Sequence, residues 1–164
     1  MWYDKSIIQY PLNSETGIPT QEDLLKIMDE VPEYRYIAIC DYLCEVNRRD
    51  ETIDIERIIN NYYSHPVDTC IQKHYLTSYY FLAYYLFKHN LYPLKAMDYI
   101  HMAIQEKASY DSASALLVKF YMYGFGVNQS EIKAKEIWQN ARKEIASWPH
   151  RYEIHHLSVF NMEL

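Results

Sequence analysis

Apolar side chains along this chain fall at helical spacing, in blocks separated by polar or proline-bearing turns. Residues 1–19 hold proline, asparagine, serine and Gly17 without a helical period and read as an extended lead-in. Thr20-Gln21-Glu22-Asp23 has the form of a capping box, in which the threonine and the acid three residues on satisfy each other's main-chain amides. Leu24, Leu25, Ile27 and Met28 follow, so a short helix is predicted to about Val31, ended by Pro32. A second helix, near Glu33 to Arg48, sets Ile37, Cys40 and Cys44 on one side with Tyr36 and Leu43 beside them. Its solvent side is expected to carry Arg35, Asp41 and Glu45. After the polar run Asn47 to Glu51, a third helix around Ile53 to Tyr63 turns Ile55, Ile58, Ile59 and Tyr62 inward. His65-Pro66 breaks the chain, and Asp68 or Thr69 can cap a long helix ending near Asn90. Strand-like alternation is scarce, so the expectation is an all-α protein of about eight helices.

The best-defined stretch is 112–146. Ala113, Leu116, Leu117, Phe120 and Tyr121 recur at helical spacing, and two of the chain's three glycines, Gly124 and Gly126, follow. Glycine enters positive φ without a Cβ penalty, so the pair predicts a sharp structural turn. Ser130 can then cap a helix whose inner face would be Ile132, Ala134, Ile137, Trp138, Ala141 and Ile145. A weaker copy precedes it over 68–107. Leu82 corresponds to Leu117 at an offset of 35, and Lys95-Ala96 and Ala103 to Lys133-Ala134 and Ala141 at 38. The difference falls in the turn, where Lys88 to Pro93 replaces the glycine bulge. A period in the high thirties with helix–turn–helix content is the mark of a solenoid.

The order Ala113, Leu117, Tyr121, Gly124-Phe125-Gly126-Val127, Lys133-Ala134 and Ala141 resembles the Sel-1-like repeat, a relative of the tetratricopeptide repeat. Val118 stands where that family usually has glycine, Ser130 replaces its aspartate as helix cap, and Ile137-Trp138 displaces its aromatic by one. The resemblance implies a single domain over 1–164, a short right-handed solenoid of antiparallel helical hairpins. Within it 20–63 would be acidic N-terminal helices, and 149–161 a helix capping the open end of the stack.

Charge sharpens this picture. The net charge is −6, and residues 1–60 alone sum to −7, against +1 for 61–110 and zero for 111–164. A negative field disfavours direct nucleic-acid contact and suits a basic protein partner. The carboxylates Glu30, Glu33, Asp41, Glu45, Asp50, Glu51, Asp54 and Glu56 read either as a docking surface for such a partner or as the solvated face of ordinary helices. The N-terminal residues lack the apolar core of a signal peptide, and no run approaches a membrane span. Three cysteines, Cys40, Cys44 and Cys70, are an odd number and read as reduced thiols of a cytoplasmic protein.

Candidate chemistry is sparse. Cys40 and Cys44, four apart on a helix, could supply two metal ligands, but a tetrahedral zinc site needs two more; buried structural thiols are the expectation. His150, His155 and His156 lack the His-Glu-x-x-His form. Gly124-Phe125-Gly126 follows a helix, not a strand, so it is no nucleotide loop. No catalytic residue, cofactor or metal is assigned, and the chain is expected not to be an enzyme.

The surplus is tyrosine, eighteen in all. If Leu82 and Leu86 face inward, Tyr80, Tyr84 and Lys88 fall on the other side of their helix, with Ala115, Lys119 and Tyr123 as counterparts at an offset of 35. In solenoids of this kind the first helix of each pair lines the concave surface. Exposed tyrosine suits an interface because it offers large area with little rotamer entropy and a polar tip. The expected partner-binding residues are therefore Tyr80, Tyr84, Lys88, Lys119 and Tyr123, with Asp41 and Glu45 from the acidic helices. Small free-standing proteins that resemble Sel-1-like repeats include immunity proteins, which implies stoichiometric capture of a toxin domain with a basic surface, such as a nuclease. The alternative use is a scaffold or adaptor in signalling or envelope assembly.

Overall fold

The computed structural model describes residues 19–64, 73–107 and 110–147. Among them lie seven α-helices and one 3-10 turn, with no strand: α1 (Gln21–Glu30), the 3-10 turn (Pro32–Tyr34), α2 (Arg35–Arg48), α3 (Ile55–Tyr62), α4 (Lys73–Lys88), α5 (Pro93–Gln105), α6 (Tyr110–Tyr123) and α7 (Glu131–Ala146). The lead-in, the predicted cap at Asp68 or Thr69 and the 149–161 helix lie outside the described residues. By main-chain proximity the chain divides into two compact units, Met1–Ser78 and Tyr79–Leu164, the boundary falling within α4.

In the first unit, Thr20 caps α1 with the reciprocal bonds the sequence predicts: Asp23 N–H donates to Thr20 Oγ1 at 3.1 Å, and Thr20 N–H donates to Asp23 Oδ2 at 2.9 Å. Pro32 does not simply end the chain's helical course. It opens the 3-10 turn that feeds α2, and Arg35 Nε donates to the Met28 carbonyl at 2.8 Å across that turn. α2 packs on α1 and is buried without interruption from Tyr36 to Leu43. A helix enclosed on all sides has no solvent face to give its polar residues. Asp54 caps α3, accepting from Arg57 N–H at 3.2 Å, and Ile55, Ile58 and Ile59 are buried as expected. Tyr36, Tyr63 and Tyr75 form a ring cluster, with centroids 4.7 to 5.8 Å apart. Tyr63 Oη donates to Ser78 Oγ at 2.6 Å, and Ser78 Oγ donates in turn to the Tyr75 carbonyl.

In the second unit, α6 packs on both α5 and α7. α4 and α6 end in the same way. Asn90 (φ 53°) and Gly124 (φ 71°) are left-handed, and the next amide closes the turn: Leu91 N–H donates to Leu86 O, and Phe125 N–H to Phe120 O, each at 2.8 Å. This is the Schellman arrangement, which satisfies carbonyls that a helix end leaves open. A second left-handed residue follows two positions later in both turns, Tyr92 (φ 42°) and Gly126 (φ 72°). The turns therefore correspond at an offset of 34. The exposure of the preceding helices repeats instead at 35: from Tyr79 to Lys88 each position matches its counterpart from Ser114 to Tyr123 in burial, apart from Leu86 and Tyr121. The second left-handed residue in α4's turn is itself the N-cap of α5, whereas Ser130, four residues past Gly126, caps α7.

Gly126 is needed for close approach as well as for its backbone. A Cβ there would lie 2.6 Å from the Pro93 carbonyl oxygen and 2.7 Å from Met97 Cγ, whereas one on Gly124 would meet nothing nearer than 3.4 Å. Phe125 between them is buried and packs edge-on against Phe87 and Phe120, at 5.3 and 5.0 Å. On α7, Ala134 and Ala141 are buried, while Ile137, Trp138 and Ile145 are half-buried. Ile132, expected on the inner face, is 84 % exposed. Two residues along a helix turn the side chain by about 200°, so Ile132 and Ala134 cannot share a face. Gly124→Ala should cost about 1 kcal/mol, the left-handed penalty alone. Gly126→Ala should cost about 3 kcal/mol, because Pro93's main chain must also move. Urea unfolding of the two variants checks the order; equal losses would contradict it.

Candidate functional site

The expected partner-binding residues separate into two groups, one in each unit. In the second unit, α4 carries Tyr80, Tyr84 and Lys88 one turn apart on one stripe, opposite the fully buried Leu82 and Leu86. Tyr80 and Tyr84 are half-buried with ring centroids 6.1 Å apart, and the Lys88 ammonium lies 5.6 Å over the Tyr84 ring. Such a cation–π contact at an exposed site is worth about 0.5–1 kcal/mol, enough to bias the lysine toward the ring. Tyr123, at the end of α6, is 72 % exposed, and its ring centroid is 6.1 Å from that of Phe87, the neighbour of Lys88. Phe87 in turn packs with Phe120 and Phe125. Tyr80, Tyr84 and Lys88 thus form one stripe on α4, and Tyr123 meets α4 through Phe87. Lys119 is half-buried one turn before Tyr123 on the same side of α6.

The acidic group differs from expectation. Asp41 does not face solvent; it is 5 % exposed, because α2 is enclosed around its middle. Burial, and then the nearby Glu45 carboxylate, push its carboxyl up to about 7. Glu45 is half-buried and paired with Arg48 at 2.7 Å and Arg49 at 3.5 Å. Several other carboxylates are occupied within the unit. Asp29 takes Arg57 at 2.7 Å and the Tyr62 hydroxyl, Glu51 accepts from Gln21 Nε2 at 3.0 Å, and Asp54 caps α3. Glu30, Glu33 and Glu56 are exposed. The Arg35 guanidinium, expected in solvent, is half-buried 5.1 Å over the Tyr62 ring.

Cys40 is buried and Cys44 half-buried, both as free thiols, and burial raises the Cys40 thiol far above its ordinary value. Burial likewise raises the Tyr36 and Tyr63 hydroxyls. Among the described residues no three His, Cys, Asp or Glu side chains gather as metal ligands. Cys70, His150, His155 and His156 lie outside those residues.

Tyr92, Leu94 and Met102 are exposed apolar residues that the sequence pattern does not single out. Tyr92 is 41 % exposed in a left-handed conformation, and Leu94 is 74 % exposed in the first turn of α5. Asn90 was the available signal, since asparagine is the commonest non-glycine residue at such a cap. No family model matches the chain, and neither a characterised protein nor a solved structure was found to match it.

Asp41 makes stability depend on pH with a definite sign. The folded state holds its proton up to about pH 7, whereas an unfolded aspartate releases it near pH 3.9. Its contribution is therefore full below the unfolded value and is lost as pH rises toward 7, a fall of about 3–4 kcal/mol. Asp41→Asn should flatten that stretch of the stability curve and be the more stable protein at pH 8. Denaturant midpoints of both proteins across pH 4–8 test this; parallel curves would contradict it.

Proposed function

We propose that the protein is a binding module without chemistry of its own, a short right-handed stack of Sel-1-like helical hairpins that holds a protein partner against its aromatic stripe. The observation that carries this reading is the stripe of Tyr80, Tyr84 and Lys88 on α4, with Tyr123 72 % exposed beside Phe87 at the end of α6. A tyrosine ring offers large contact area with few rotamers to lose on binding. The correspondence of α4 and α6 in exposure, and of their left-handed turns, supports the hairpin-repeat reading.

The role we infer is that of a cytoplasmic immunity protein that neutralises a bacterial toxin stoichiometrically, by covering its active site or substrate groove. The charge of residues 19–64, net −6, favours a toxin domain with a basic surface, such as a nuclease. Exposed Glu30, Glu33 and Glu56 would meet it in place of the buried Asp41 and the arginine-paired Glu45. Among the described residues no helix is long and apolar enough to cross a membrane.

The test is co-expression of this chain with the toxin-like product of a neighbouring gene. Rescue of growth and a 1:1 complex are expected. The triple variant Tyr80→Ala/Tyr84→Ala/Tyr123→Ala should keep its helical circular dichroism and bind at least about 100-fold more weakly. Absence of any stable complex, or full binding by the triple variant, would contradict the reading.

A further inference from the structure

We draw no further inference here: the strongest candidate, the exposed apolar surface of Tyr92 and Leu94 at the start of α5, lies beside the exposed Lys95 and Asp98 of opposite charge, and nothing in the structure shows what covers it.

Discussion

The second unit depends on one main-chain device used twice: a helix ends on a left-handed residue, and the amide after it returns to a carbonyl five residues back. These bonds matter because a buried helix end with open carbonyls would cost about 1–3 kcal/mol for each unsatisfied group. Gly126 lets the second turn press on the start of α5 so closely that no side chain fits between. Phe125, carried by the closing amide, fills the space between Phe87 and Phe120. Tyr123 is presented to solvent by the same packing that buries Phe125.

In the first unit the governing constraint is enclosure of α2. A helix buried around its circumference must take its polar residues inside, and burial pushes the Asp41 carboxyl up to about 7. The surrounding acids then serve local ends as helix caps, ion pairs and tyrosine acceptors, before any remain for a partner. Exposed ion pairs contribute little each. Their consequence is to reduce the acidic surface to a few glutamates.

Local signals carried much of the fold. Thr20 with Asp23, and Ser130, cap the helices that their side chains announce, and the helix ends after Lys88 and Tyr123 follow from Asn90 and Gly124, whereas Asp54, read only as one of the acidic carboxylates, caps α3. What failed were inferences about which face is covered, because periodicity reports a face only when one side of a helix is wet. Asp41 was assigned to solvent on that assumption, and Ile132 to the core by hydrophobicity against its own helical angle to Ala134. The offset of 35 between Leu82 and Leu117 describes the helix faces, while the turns run at 34, a residue-level slip that only main-chain geometry reveals. Tyr92 was illegible for a different reason: its conformation opposes its own propensity and that of the proline after it.

Native-state hydrogen exchange at two amides tests the central claim most directly. If the paired left-handed closures hold the second unit together, Leu91 N–H and Phe125 N–H should both be strongly protected and should open only with unfolding of that whole unit. Exchange of either amide at the rate of an open loop, while the helices on both sides stay protected, would contradict the account.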